Sequence, residues 1–245
     1  MDYSIYKLNK REILKYTLIY MVLSTAIAYA FYDSAAAFLV MLPLGVLYFK
    51  RVRKVLAGKR KDKLRRQFQD MIDSVSSSLS AGYSVENSFY EARKDMRRLY
   101  GKDSLITAEL DYFFSLLDTG TTPESILSDF GNRADVEDIS DFAEIFVLAK
   151  RNGGDFNDII GKTVKVMKEK DETEREIAVI LTGRRYEQRL MCVIPFAIIL
   201  YLRISSSDFL SVLYHNIFGV TVMTLCLVIY GLSYGMSERI TDIRV

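Results

Sequence analysis

The chain has 245 residues, half of them hydrophobic and 26% charged, with three prolines, one histidine, two cysteines and no tryptophan. This composition excludes a disordered chain and a small secreted domain framed by disulfides. A balance of 33 basic against 31 acidic residues, net charge +2, excludes a chain whose overall charge alone would mark it as a nucleic-acid binder. A mean hydropathy of +0.09 is high for a chain one quarter charged, so the apolar residues are gathered into blocks.

Four such blocks occur in chain order: Tyr16 to Tyr32, Ala35 to Phe49, Leu190 to Ile204 and Ile217 to Met236. A bilayer core of about 30 Å needs about 20 helical residues, fewer where flanking Lys or Arg stems reach the interface. The first two blocks, separated by Asp33 and Ser34, predict a transmembrane hairpin; the last two predict a second. The second block is short and is expected to borrow the stems of Lys50, Arg51 and Arg53. The first lacks a small-residue cleavage site and is followed at once by another apolar block, so it is expected to be retained. Pro195 falls inside the third block and marks a kink, which a membrane helix tolerates when neighbours satisfy the freed carbonyl.

Lys and Arg set the orientation. Lys7, Lys10, Arg11 and Lys15 precede the first block, and ten bases lie between Lys50 and Arg66; the turn at Asp33 and Ser34 and the loop from Ser205 to Asn216 carry none. Both termini and residues 50–189 are therefore expected on the cytoplasmic side of a cell membrane crossed several times. The expected organisation is an N-terminal hairpin with a basic juxtamembrane segment over residues 1–58, a cytoplasmic helical domain over 59–189, and a C-terminal hairpin and tail over 190–245.

Between the hairpins the pattern is helical. Phe68, Met71, Ile72, Val75 and Leu79 recur on one helix face, and so do Val85, Phe89, Ala92, Met96 and Leu99. Gly82 is expected to end one helix and Ser84 to cap the next; Gly120 ends another, and Thr122 with Pro123 restarts the chain. Asp135 and Asp155 read as further N-caps, with Asp138 and Asp158 three residues on, in the electropositive first turn. These signals predict an all-α membrane protein in which two hairpins flank a cytoplasmic bundle of about six helices. From Asp155 onward no proline intervenes before the third span. One helix of some 45 residues, about 65 to 70 Å long at 1.5 Å per residue, is expected to run into the bilayer as a charged stalk. The runs Ser80 to Asn87 and Arg151 to Asp158 share one grammar of helix end, glycine, cap and apolar residue, which fits either a duplication or the demands of any tight helical hairpin.

Catalytic and metal chemistry finds little purchase. Gly161-Lys162-Thr163 has Phe156 where a phosphate-binding loop needs glycine. His215 is the only histidine and lies in the outward loop, while Cys192 and Cys226 sit in apolar spans without metal spacing. The acidic cluster Asp135, Glu137, Asp138, Asp141 and Glu144 lacks the glycine turn of a calcium loop. No acid or base stands at mid-depth in a span, where a transporter would place one. No enzyme activity, cofactor or metal is expected. What remains is polarised charge. Ten bases against one acid, Asp62, form a root from Lys50 to Arg66; Lys59, Arg60, Lys61, Lys63, Arg65 and Arg66 would suit an anionic lipid surface, or serve only as a topology signal. From Asp103 to Glu144 acids predominate, with Arg133 the only base. This crown, the five-residue acidic cluster included, would suit a basic protein surface or be a merely solvated face.

The architecture and certain motifs resemble the type II secretion system F-domain family, and within it the inner-membrane platform proteins of tight-adherence (Tad, Flp pilus) systems. The matching residues are the helix Gln67 to Ser80 leading into Leu79-Ser80-Ala81-Gly82-Tyr83-Ser84-Val85, then Gly120 with Pro123, then Ala149 to Phe156 continuing to Lys170-Asp171-Glu172-Thr173-Glu174-Arg175-Glu176, and finally Pro195. They cover residues 65–235. The resemblance implies a non-enzymatic platform between a cytoplasmic hexameric secretion ATPase and a pilin or pseudopilin drawn from the bilayer, associating with itself or with a paralogous F-domain protein, with no nucleic acid involved. It implies that Gly82, Ser84, Gly153, Gly154 and Asp155 shape helical hairpins. A single F domain, where general secretion and type IV pilus members carry two, favours the tight-adherence branch. The alternative function is a small membrane transporter or channel component, for which the spans supply only hydroxyls such as Ser24, Thr25, Thr221 and Thr224.

Overall fold

The computed structural model describes residues 8, 10–32, 38, 41–152, 156–205 and 216–241. All its regular structure there is α-helix: α1 (Lys10–Tyr32), α2 (Leu44–Ser80), α3 (Val85–Tyr100), α4 (Leu105–Leu117), α5 (Pro123–Ala134), α6 (Glu137–Asn152), α7 (Phe156–Ser205) and α8 (Ile217–Thr241). Two compact units result. One is the helical domain, Val52–Glu172; the other gathers Leu8–Arg51 with Thr173–Val245.

The domain forms because six helices each offer an apolar stripe to one core. On α2 the stripe is Leu64, Phe68, Met71, Ile72, Val75 and Leu79, every one buried, as the spacing requires. Phenylalanines from all six helices meet inside. Phe68 of α2 lies edge-on to Phe130 of α5 at 6.0 Å and to Phe142 of α6 at 5.5 Å. Phe89 of α3 stacks on Phe113 of α4 at 4.7 Å and meets Phe146 of α6 at 6.1 Å, which in turn meets Phe156 of α7 at 5.2 Å. Each such pair adds about 0.5 to 1.5 kcal/mol to simple burial. On α3 the inward face ends one residue differently from expectation. Phe89, Ala92 and Met96 are buried, but Leu99 is 66% exposed. Tyr100, four residues after Met96, is itself 39% exposed and reaches α2 through its hydroxyl, which donates to Asp70.

The helix boundaries follow local chemistry. Gly82, at φ +90°, closes α2: Gly82 N–H donates to Leu79 O and Tyr83 N–H to Ser78 O, the paired bonds of a glycine C-terminal cap. Ser84 then caps α3, its hydroxyl accepting from Asn87 N–H at 3.3 Å. Gly120, at φ +87°, repeats the arrangement after α4, with Thr121 N–H donating to Leu116 O. Thr122 takes the N-cap position ahead of Pro123 without a capping side-chain bond. Ser104 caps α4, accepting from Thr107 N–H, and the buried Gln67 side chain of α2 accepts from Ile106 N–H in the same first turn. One cap reading is corrected: Asp135 ends α5 in the left-handed region, at φ 51° and ψ 45°, rather than beginning α6. An aspartate tolerates that conformation better than most residues, and the tight α5–α6 corner demands it. Asp155 lies outside the described residues.

Among the described residues of the second unit three helices are long and apolar enough to cross a membrane: Lys10–Tyr32, the C-terminal part of α7, and Phe218–Ser237 in α8. Of the second expected span, 35–49, residues 38 and 41–49 are described; from Leu44 it opens α2, which is not among the helices long and apolar enough to cross. Phe31 packs edge-on against Phe196 at 5.6 Å, beside Ala30 and Met223, and Tyr32 Oη lies 2.9 Å from Thr224 Oγ1. α7 continues through Pro195. The missing Pro195 N–H leaves a carbonyl one turn earlier without its helical donor, and at the neighbouring carbonyl, that of Cys192, Tyr230 Oη of α8 donates at 2.7 Å.

Candidate interaction surfaces

Helical geometry divides the acidic cluster. At about 100° per residue, Glu137, Asp141 and Glu144 fall on one face of α6, with Asp138 rotated off it. All three are exposed, and Leu148, 54% exposed, continues their row. Val136, Ile139, Phe142, Ala143 and Phe146 line the opposite side and belong to the core. Asp138 therefore leaves the candidate surface. It is only 5% exposed, with Lys170 Nζ of α7 at 2.9 Å and Arg65 of α2 at 3.8 Å. Asp135 also departs from the row: it stands at the end of α5, paired with Lys61.

The basic root divides in the same way. Lys59, Lys63 and Arg66 recur at helical spacing on α2 and are exposed. Lys61 and Arg65, on the other side of the helix, turn toward Asp135 and toward Asp138 and Asp171. Arg60 is half-buried. Of the six candidate lipid contacts, three thus share one open face, and two are engaged by carboxylates of other helices and corners of the domain.

Of the hairpin positions, Gly82 and Ser84 form the α2–α3 corner, whereas Gly153, Gly154 and Asp155 lie outside the described residues. Beyond the corner, Asn157 of α7 donates to Leu79 O of α2 at 3.3 Å. Neither this bond nor the pairs of Lys168, Lys170 and Asp171 carry a local sequence signal, because their partners lie far away along the chain.

In the helical domain electrostatic shifts arise at paired groups. Tyr100 is pushed up to about 12, first by donating to Asp70 and then by burial. For Glu124 burial alone would raise the carboxyl, but the hydrogen bond from Lys150, the charge of Lys150 and the Thr122 hydroxyl hold it below its ordinary value. Burial works against the charge of Arg133, yet Glu109 and Asp129 hold its guanidinium above the ordinary range. Among the described residues no three His, Cys, Asp or Glu side chains converge to hold a metal ion. A void beside Glu109 and Arg133, walled by Met71, Phe89, Phe113 and Phe130, has room for roughly one water molecule.

What the arrangement offers is therefore surface: an acidic row on α6 and a basic row on α2, displayed by a rigid core. Compared with models of known families, with curated proteins and with solved structures, the chain matches none.

Proposed function

We propose that this chain is a non-enzymatic membrane platform of a type II secretion or tight-adherence pilus assembly system, coupling a cytoplasmic hexameric ATPase to the extraction and assembly of pilin. The observation that carries the reading is α7. One helix of 50 residues holds core residues Ile160 and Val164 near its start and an apolar, span-length segment at its end. At 1.5 Å per residue it extends about 75 Å, long enough to relay movement from a soluble domain into a bilayer. The sequence resemblance from Gln67 to Pro195 supports the same reading.

In it, the Lys and Arg distribution puts the helical domain and both termini on the cytoplasmic side. Glu137, Asp141 and Glu144 meet basic residues of the ATPase by complementary potential. Lys59, Lys63 and Arg66 meet anionic headgroups, each worth about 1 kcal/mol near the surface. A second F-domain protein completes the assembly, and the spans offer pilin a route out of the bilayer. No side chain of the platform makes or breaks a bond.

The test uses the full chain in anionic nanodiscs with the secretion ATPase of the same cell. Binding at low salt, weakened at least about tenfold by the triple change Glu137→Lys, Asp141→Lys, Glu144→Lys, is expected. No binding by a folded hexamer, or cleavage of the helical domain by protease added outside intact cells, overturns the proposal.

A further inference from the structure

Within the helical domain α7 is held in two different ways. Ile160 and Val164 are buried in the core, and Phe156 and Met167 pack against it. From Lys165 to Glu172 no residue is buried. Beyond Met167 three ionic contacts join this stretch to other helices. Lys168 Nζ lies 2.6 Å from Asp73 Oδ1 on α2, Lys170 Nζ 2.9 Å from Asp138 Oδ1 on α6, and Arg65 of α2 donates to Asp171 Oδ1 at 3.3 Å.

The four charges around Asp138 divide evenly between α7 and the rest of the domain. Lys170 and Asp171 belong to α7; Arg65 and Asp138 belong to α2 and α6. Arg65 stands between the two carboxylates, 3.8 Å from Asp138 and 3.3 Å from Asp171. Gln69 Nε2 of α2 lies a further 3.4 Å from Asp138 Oδ2. Breaking a buried ion pair is costly when it strands one charge without a partner. Withdrawing Lys170 and Asp171 takes one cation and one anion away together, and Asp73, which loses Lys168 at the same time, is exposed enough for water to replace it. Asp138, the buried member, keeps Arg65 and Gln69.

We propose that the α7 turn Lys168 to Asp171, with Asp73, Arg65 and Asp138, is a releasable clasp. It opens and closes while Ile160 and Val164 stay packed, so that α7 pivots near Met167. The apolar contacts make the permanent attachment; the ionic ones make a two-position attachment, in which the group around Asp138 divides without net charge and the half-exposed Lys168–Asp73 pair parts into solvent. The clasp stands on the geometry of the domain alone. That its opening serves pilus assembly rests on the function proposed above.

The test measures distances between spin labels in the full chain in nanodiscs, with Cys192→Ala and Cys226→Ala as background. Labels enter through Glu144→Cys on α6 and either Glu172→Cys, beyond the clasp, or Asp158→Cys, before the pivot. Adding the double change Lys170→Gln, Asp171→Asn is expected to bring in a population in which the 144–172 distance is several ångströms longer, with the 144–158 distance unchanged. The same change is expected without those two substitutions on raising salt to about 1 M, where the screening length falls to about 3 Å. An unchanged 144–172 distance under both treatments, or equal broadening of both distances, overturns the clasp. Loss of ATPase binding or an inverted orientation would leave these distances as they are, so failure of the platform reading is separately visible.

Discussion

Arg133 of α5 grips Glu109 of α4 with both terminal nitrogens, at 3.2 and 3.0 Å, while its Nε bonds Asp129 one turn back. Glu109 is 5% exposed, and the guanidinium also faces the ring of Tyr112 at 5.1 Å. The only base between Asp103 and Glu144 is thus spent inside the domain. Removing one partner of such a pair leaves a buried charge. Glu109→Ala is expected to destabilise the domain by about 3 kcal/mol, and the double change Glu109→Leu, Arg133→Met by less, because no charge is then stranded. Urea unfolding of the three proteins checks both halves of the expectation.

Phe68 and Leu99 are both large apolar residues on helix faces that the spacing assigns to the core, yet one is fully buried and the other two-thirds exposed. Phe68→Ala is expected to cost about 3 to 5 kcal/mol. Leu99→Ala should stay within about 0.5 kcal/mol of the parent. Thermal melts in one detergent distinguish the two. A large loss at Leu99 would mean that its side chain is covered in solution.

Two glycines differ in why they are needed. Gly82 has open space around it but a left-handed backbone, whereas a Cβ at Gly131 would stand 3.1 Å from Ser140 Cα, where α5 crosses α6. Gly82→Ala is expected to cost about 1 kcal/mol, from backbone strain alone. Gly131→Val should cost about 1 to 3 kcal/mol by forcing the helices apart. The accompanying loss of the Ser140 Oγ bond to Gly131 O should appear as faster amide exchange in α5 and α6 only.

Acid and alkali should act through different pairs. The Glu124 carboxyl lies below its ordinary 4.5 in the folded chain, so the unfolded chain binds more protons. Its contribution is fully present above about pH 4.5 and is lost as pH falls through the folded value. Glu124→Gln should remove that part of the acid dependence. Tyr100 is raised from 10.0 to about 12 by its bond to Asp70 and by burial. Its contribution is present below pH 10 and is lost as pH rises through about 12. Tyr100→Phe should reduce the late phenolate step in an absorbance titration by one tyrosine.

Much of the domain can be read from local rules. Glycine at a left-handed corner, serine as cap and proline at a first helical position act over a few residues, which is why the Gly82–Ser84 and Gly120–Pro123 boundaries fall where expected. The separation of Asp138 from Glu137, Asp141 and Glu144 was also available, since it needs only the helical period. Asp135 was harder. Whether an aspartate begins one helix or ends another depends on the backbone the corner adopts, and its side chain answers to Lys61 on a distant helix.

The sequence by itself determined that the chain is helical, that its apolar residues are segregated into blocks and into core-forming stripes on the two helices that carry Phe68 and Phe89, and that charge collects at a root and a crown. These are consequences of composition and period, which are properties of neighbours along the chain. Only the tertiary structure decided which charges face outward and which are spent between helices. Arg65, Asp138, Lys170 and Asp171 are brought together by the packing of three helices, and an ion pair forms according to distance in space, to which sequence spacing is blind.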